Sequence, residues 1–161
     1  MADWETRVVR SDGCRIAYDC RQGEGPEVVL LHGYGLDRTM WAPQLAALEG
    51  WTVLNLDIRG HGDSRPCADF SIPQAAEDLR AVLVKERCRA PVLVGLSMGG
   101  YGALKCALRA PETYCAAASL SGAVDVSALT LEKPAGERGY WEDVFGPAQA
   151  IAGSENDLFA V

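Results

Sequence analysis

The amino-acid sequence predicts an α/β fold: a three-layer, mostly parallel open sheet with helices on both faces. Two observations lead to this prediction. Apolar runs of strand length alternate along the chain with stretches of helical periodicity. In addition, the apolar run 91–96 breaks into Gly95-Leu96-Ser97-Met98-Gly99, and a helix-like stretch follows at once. This order of strand, sharp turn and helix is the setting in which a G-x-S-x-G sequence exposes a serine hydroxyl.

Composition is that of an ordinary globular protein. The chain has 161 residues, of which 48% are hydrophobic and 23% charged, enough for a core in a single domain over 1–161. The net charge of −7 argues against nucleic acid or an anionic membrane as partner, because both need a basic face. No stretch approaches the roughly 18–20 apolar residues of a membrane span, and residues 1–7 do not resemble a signal peptide. We therefore expect a cytoplasmic protein.

The six cysteines are expected to be buried, reduced thiols. They occupy positions 14, 20, 67, 88, 106 and 115, and none of them forms a C-x-x-C pair. Because the chain also has only two histidines, a zinc site is not expected. No other cofactor is expected either. Reduced thiols are the simplest interpretation for a chain without an export signal.

The first half of the chain alternates strand and helix patterns. Residues 6–9 and 14–19 flank a turn containing glycine and predict a hairpin. The continuous apolar run 27–31 is typical of a strand that is buried on both faces. A helix is expected over 39–48 and a further short strand over 51–56.

The second half begins with a predicted helix whose start is marked by a capping box at Ser71 and Gln74. Residues 91–96 form the strand before the turn, and 98–109 the helix behind it. A last apolar strand is predicted over 114–120. Glycine is expected on both sides of the turn because a side chain at either place would collide across it.

Beyond the last strand the pattern loosens, and only short helices near 139–144 and 155–160 are expected. The regular core is predicted to cover 5–121, and the segment 122–161 to be less regular and exchangeable between chains. The strand 114–120 would lie at a sheet edge without charge or proline, and such an edge invites pairing. A homodimer or higher homo-oligomer is therefore expected.

Three loops that leave the ends of successive parallel strands resemble motifs of the α/β-hydrolase family. His32-Gly33-Tyr34-Gly35 resembles the family's oxyanion loop, and 57–64 resembles its D-x-R-G-x-G-x-S loop. Residues 95–100 resemble the nucleophile elbow. The resemblance covers about 5–121, and the stretch from Tyr101 onward is more similar to the tributyrin-esterase and formylglutathione-hydrolase branch.

This resemblance implies a truncated α/β-hydrolase fold and a serine esterase that acts on a small acyl ester. Ser97 would be the nucleophile, and the backbone N–H groups of Tyr34 and Met98 would form the oxyanion hole. The reaction would be two-step acyl transfer, in which an acyl-enzyme forms and water releases it. None of the three loops matches the G-x-G-x-x-G pattern of dinucleotide-binding proteins.

The chain departs from the family in the histidine that serves as the general base. The family's order is serine, then aspartate or glutamate, then histidine, whereas no histidine follows Ser97 here. The resemblance also implies that the family has two further strands after the point where this chain stops. His32 is expected to hydrogen-bond loop backbone and His61 to be solvated or to anchor its loop. A role as the base stays open for both.

Several charged residues are weighed for the acid or for substrate binding. Asp125, soon after a strand end, is the best acid candidate among the aspartates that follow the nucleophile. Asp57 and Asp63 are expected to order their loop instead. Arg59 and Arg65 are expected to be solvated loop residues, with binding of a substrate carboxylate as the alternative.

Two functions remain open at this stage. The first is a weak esterase that acts through Ser97 without the standard base. The second is a non-catalytic hydrolase fold that binds an acyl ligand or assembles with a partner chain. The reactivity of Ser97 distinguishes them. A third alternative, a purely structural or oligomerisation module, predicts a collapsed pocket that takes no ligand.

Overall fold

The computed structural model describes residues 3–67 and 70–160. Within these residues a six-stranded sheet has the order β1-β2-β4-β3-β5-β6. The strands are β1 (Glu5–Ser11), β2 (Cys14–Arg21), β3 (Glu27–Leu31), β4 (Thr52–Leu56), β5 (Val92–Leu96) and β6 (Ala116–Leu120).

The sheet is mixed, with a parallel part that positions the rim loops. Strands β4, β3, β5 and β6 run parallel to one another, whereas β1 and β2 form an antiparallel hairpin that joins β4. The predicted strands are all present, and β3 has the predicted bounds. The last strand is shorter than predicted and begins at Ala116. The predicted fold class is confirmed.

Five α-helices and four 3-10 segments accompany the sheet in the described residues. The α-helices are α1 (Ile72–Glu86), α2 (Met98–Arg109), α3 (Val126–Leu131), α4 (Gly139–Phe145) and α5 (Ala148–Ile151). The 3-10 segments are Arg38–Leu48, Gly62–Ser64, Ala135–Glu137 and Leu158–Ala160. No helix among residues 3–67 and 70–160 is both long and apolar enough to span a membrane.

The helix boundaries follow local signals. Ser71 caps α1 by accepting a hydrogen bond from the Gln74 N–H at 3.3 Å, as the predicted capping box requires. Helix α2 has the predicted bounds. The predicted helix over 39–48 is instead a 3-10 segment, because Pro43 inside it has no N–H to donate to an α-helical ladder.

The sheet packs a hydrophobic cluster on each face. Val29 and Leu31 of β3 belong to the cluster that includes buried residues of α1 and α2. Their neighbours Val28 and Leu30 point the other way and pack with Trp41 of the 3-10 segment. This alternation along one strand places a helical layer on each side of the sheet, as predicted.

The chain divides into two compact units, one up to Gly122 and one from Ala123. The predicted regular core lies within the first unit. In the second unit α3, α4 and α5 contact one another. Helix α4 agrees with the short helix expected near 139–144, whereas only a 3-10 segment forms in the region 155–160. Helices α3 and α5 were not predicted.

The expectation of six reduced thiols is wrong for two of them. Cys14 and Cys67 form a disulfide, with their Cα atoms 5.5 Å apart. The loop before α1 returns to the start of β2, and this return places the two side chains together. Burial raises the pKa of Cys88 to about 12 and that of Cys106 to about 11, so both thiols stay protonated. The predicted cytoplasmic location stays a prediction.

Candidate active site

Ser97 occupies the turn between β5 and α2 in a conformation that residues with a side chain rarely adopt. Its φ is 53° and its ψ −116°, and the residue is exposed to solvent. The Ser97 N–H donates to the Leu120 carbonyl at 2.9 Å, and its own carbonyl accepts from the Tyr101 N–H at 3.0 Å. The turn is therefore held by β6 on one side and by the first turn of α2 on the other.

Glycine is required on both sides of Ser97 because other backbone passes too close for a side chain. A Cβ added at Gly95 would lie 2.0 Å from the carbonyl oxygen of Gly99. A Cβ added at Gly99 would lie 2.4 Å from the carbonyl oxygen of Leu31. The collision across the turn that the sequence predicts is thus present, and it allows α2 to start close to β3.

The loop after β3 lies beside the serine. A Cβ added at Gly33 would be 3.4 Å from the Cβ of Ser97. Tyr34 and Gly35 then form a turn that the Leu36 N–H closes by donating to the Gly33 carbonyl at 3.2 Å. Met98 is the first residue of α2, and the first N–H groups of a helix have no intrahelical partner and carry its positive dipole end. Tyr34 and Met98 therefore share one rim with Ser97.

His32 is fully buried, and both of its ring nitrogens bind backbone. Nε2 accepts from the Ile58 N–H at 2.9 Å, so the ring proton lies on Nδ1, which is 2.8 Å from the Gly33 carbonyl. Burial lowers the pKa of His32, which keeps the ring neutral. The side chain ties the loop after β3 to the loop after β4, in line with the expectation that it binds loop backbone.

His61 lies in the loop after β4 and is half-buried. Its Nδ1 is 3.0 Å from the Arg59 carbonyl, within its own loop. Its ring lies 5.1 Å from the ring of His32 and 5.6 Å from that of Tyr34, which it meets edge-on. His61 therefore anchors its loop, and its ring also contacts the loop beside Ser97.

Asp57 orders the loop that carries His61. The buried carboxylate accepts from the N–H groups of Arg38 at 2.7 Å and Asp63 at 2.8 Å, and it pairs with the Arg38 guanidinium. Gly62 is required here because an added Cβ would be 2.2 Å from the carboxylate. The guanidinium also binds Asp19 and Asp63. Sequence reasoning missed Arg38, because nothing local marks a residue whose three partners come from other parts of the chain.

Comparison with known families agrees with this geometry. Residues 28–160 match the sequence profile of the family described as the Alpha/beta hydrolase family. The chain belongs to the alpha/beta hydrolase family. The match includes the elbow and the loops after β3 and β4, so the resemblance predicted from those motifs is confirmed.

Individual relatives cover this hydrolase-family chain only in part. A pimeloyl-[acyl-carrier protein] methyl ester esterase of Aeromonas salmonicida is 38% identical over 95 residues, which are 57% of this chain and 36% of that protein. A dihydrolipoyllysine-residue acetyltransferase component of the acetoin cleaving system of Cupriavidus necator is 37% identical over 113 residues, which are 68% of this chain and 30% of that protein. This chain thus spans about a third of the length of these curated relatives.

Among solved structures, epoxide hydrolase A from Mycobacterium thermoresistibile superposes with a TM-score of 0.68 at 28% identity. The superposition covers 74% of this hydrolase-family chain and 39% of that structure. The shared part is therefore an incomplete portion of the larger enzyme, as it is for the curated relatives.

The expectation that Arg59 of this hydrolase-family chain is solvated is wrong. The Arg59 guanidinium is buried and forms two hydrogen bonds to Asp78 of α1, at 2.6 and 2.7 Å. The pair borders a cavity of about 50 Å³ that Asp57, Met98 and Gly99 also line. The sequence signal that could have indicated this pair is Asp78, an aspartate on the apolar face of α1. Arg65 is exposed and donates to the Gly62 carbonyl at 3.2 Å.

Asp125, the predicted acid candidate, lies in the second unit. Its carboxylate accepts from the Ala128 N–H at 2.9 Å and caps α3. Its role as the acid of this hydrolase-family chain stays a prediction. Among the described residues, no group of three or more His, Cys, Asp or Glu side chains could hold a metal ion.

Proposed function

We propose that the chain acts as a serine hydrolase on short acyl esters, with Ser97 forming the acyl-enzyme. The observation that carries this proposal is the exposed Ser97 at positive φ between β5 and α2. A backbone conformation of this kind costs about 1–3 kcal/mol and persists where the surrounding structure enforces it, most often at functional sites.

In the proposed reaction the Ser97 Oγ forms a bond to the ester carbonyl carbon, the bond from that carbon to the alcohol oxygen breaks, and the serine proton leaves with the alcohol. The carbonyl oxygen becomes an oxyanion, and the N–H groups of Tyr34 and Met98 would donate to it. The positive end of the α2 dipole would stabilise the same charge. Water then releases the acyl group as a carboxylic acid.

The proposed substrate class is supported by large apolar side chains in the segments next to the serine. Tyr34, Leu36 and Leu120 are all exposed although they are large and apolar. Leu120 supplies the carbonyl that holds Ser97, and Leu36 lies next to Gly33. These side chains offer an apolar surface to an acyl group. A relative named as a methyl ester esterase supports the choice of an ester.

Turnover should be slow. Within the described residues neither histidine hydrogen-bonds to Ser97, since both rings bind backbone groups of the loops after β3 and β4. A serine hydroxyl without an adjacent base is a weak nucleophile. Oxyanion stabilisation and binding alone give an acceleration on the order of 10³–10⁴ over water.

The test is hydrolysis of p-nitrophenyl acetate, followed by release of p-nitrophenol and by intact mass spectrometry. Because p-nitrophenoxide is a good leaving group, acylation by this ester should be faster than deacylation, and we expect a burst and an acetyl adduct on the wild type and neither on Ser97→Ala. Ser121→Ala is the matched control, because Ser121 is also an exposed serine at positive φ, after the neighbouring strand. It should keep the adduct.

Peptide mapping of the labelled protein should place the acetyl group on Ser97. Absence of an adduct in the wild type, with equal hydrolysis by Ser97→Ala, would contradict the proposal. It would favour the alternative of a hydrolase fold that binds an acyl ligand or assembles with a partner chain.

A further inference from the structure

We propose that His61 is the general base for the water that hydrolyses the acyl group from Ser97. This inference rests on the proposed acyl-enzyme. A carbonyl oxygen can only accept, so the hydrogen bond between His61 Nδ1 and the Arg59 carbonyl places the ring proton on Nδ1. Nε2 then keeps its lone pair, and no partner among the described residues occupies it. An imidazole in this tautomer is ready to take a proton.

His32 does not share this property. Its Nε2 lone pair is used by the Ile58 N–H, its Nδ1 faces the Gly33 carbonyl, and the ring is fully buried. Taking a proton would require it to break the bond that joins the loops after β3 and β4. Of these two histidines, His61 is therefore the one with a ring nitrogen available.

The strand order sets the distance over which His61 can act. Strand β3 lies between β4 and β5, so the ends of β4 and β5 are separated by two strand spacings, about 10 Å. The His61 ring extends toward β3 and contacts Tyr34, whose neighbour Gly33 lies against Ser97. Because His61 and Ser97 follow strand ends this far apart, a water between the two side chains fits the strand order better than a direct hydrogen bond to the serine hydroxyl.

The water oxygen forms a bond to the acyl carbonyl carbon while its proton passes to His61 Nε2, and the carbonyl oxygen becomes an oxyanion. The tetrahedral intermediate then collapses, and the bond between the carbon and Ser97 Oγ breaks. A second water carries that proton from His61 to the serine oxygen, and the acyl group leaves as a carboxylic acid. No oxidant, reductant or further reactant is needed.

The experiment separates deacylation from acylation. His61→Asn keeps a side-chain N–H that can donate to the Arg59 carbonyl but removes the basic nitrogen. The protein is acetylated with p-nitrophenyl acetate, excess reagent is removed, and loss of the adduct is followed by intact mass spectrometry. We expect deacylation to slow at least tenfold in His61→Asn, and by more than acylation slows. Arg65→Gln, in the same loop, is the matched control and should deacylate like the wild type.

A second variant tests whether slower deacylation comes from the lost base or from a change in folding. His61→Ala leaves space beside Tyr34, and added imidazole should accelerate its deacylation, while it accelerates that of the wild type far less. Rescue by imidazole is not expected if His61 only holds its loop in place.

The outcomes of this experiment and of the previous one are distinct. If the wild type forms no adduct on Ser97, the proposed function fails and this inference fails with it. If the adduct forms but His61→Asn and His61→Ala lose it at the wild-type rate, the acyl-enzyme stands and the role of His61 is overturned.

Discussion

At the scale of single residues, the conformation of Ser97 depends on the close approach of neighbouring main-chain segments. Ser97 keeps its positive φ because Gly95 and Gly99 allow β5 and α2 to approach without a side chain between them. Main-chain hydrogen bonds to Leu120 and Tyr101 then fix the turn. The strain is compensated locally, because the main chain itself holds the turn that carries the Ser97 hydroxyl.

The oxyanion role of Tyr34 can be tested without disturbing its turn. The turn 33–36 resembles a type II turn, because Gly35 at its third position has a φ of +74°. Proline is common at the second position of such a turn, which Tyr34 occupies here. Tyr34→Pro should therefore keep the turn and remove the N–H. Loss of one oxyanion donor should slow acylation by p-nitrophenyl acetate by a factor on the order of 10²–10³.

Tyr34→Ala is the control for this prediction, since it removes the ring and keeps the N–H. It should acylate within a few-fold of the wild type. Equal acylation rates in Tyr34→Pro and the wild type, with unchanged circular dichroism, would show that this N–H does not stabilise the oxyanion.

Residues whose environment is local could be predicted from the sequence, and residues with distant partners could not. The glycines around Ser97 follow from the steric demands of a sharp turn, and the capping role of Ser71 from its spacing to Gln74. Arg59 was misjudged as solvated because its burial depends on Asp78, which lies 19 positions away on a helix of unknown placement. The burial of a charge is decided by packing, which spacing alone does not encode.

At the scale of elements, prediction succeeded where the hydrophobic pattern agrees with the residues that mark the ends of a strand or helix. Strand β3 is a continuous apolar run, and α2 lies between the elbow and Pro111, so both have the predicted bounds. The segment Arg38–Leu48 has helical periodicity, but Pro43 removes a donor and yields 3-10 structure. Short helices such as α3 and α5 span too few residues to show a period.

The Cys14–Cys67 disulfide gives a prediction at this scale. It joins the start of β2 to the loop before α1 across 53 residues of sequence. In the chain-entropy description, a closed loop of this length stabilises the folded protein by about 4 kcal/mol. Reduction, or the pair of changes Cys14→Ser and Cys67→Ser, should lower the free energy of unfolding by up to that amount in urea titrations.

Thiol counting and a matched variant check this prediction. Alkylation of the unfolded, unreduced protein should label the four other cysteines only. Cys115→Ser, which changes an exposed free thiol, should leave stability and its response to reductant as in the wild type. Labelling of all six cysteines before reduction would contradict the disulfide.

At the scale of the whole molecule, the sheet order brings the chemistry to one rim. Strands β4, β3 and β5 are neighbours and parallel, so the loops that follow them meet at the same edge of the sheet. His61, Tyr34 and Ser97 come from these three loops in that order across the sheet. The sequence predicted the shared rim from the alternation of elements, whereas the contact between the His61 and Tyr34 rings required the structure.

The far edge of the sheet gives the last prediction. Strand β6 pairs with β5 on one side and with no other strand of the described residues, and Ala116, Ala118 and Leu120 on it are exposed. With no charge or proline on β6, we expect two copies to pair along this edge and form a dimer. Ala118→Lys should shift light scattering and sedimentation across a concentration series toward monomer. Val84→Lys, which changes an exposed apolar residue of α1, should not. A wild type that is monomeric at every concentration would exclude pairing through β6 and leave the site to act within a single copy.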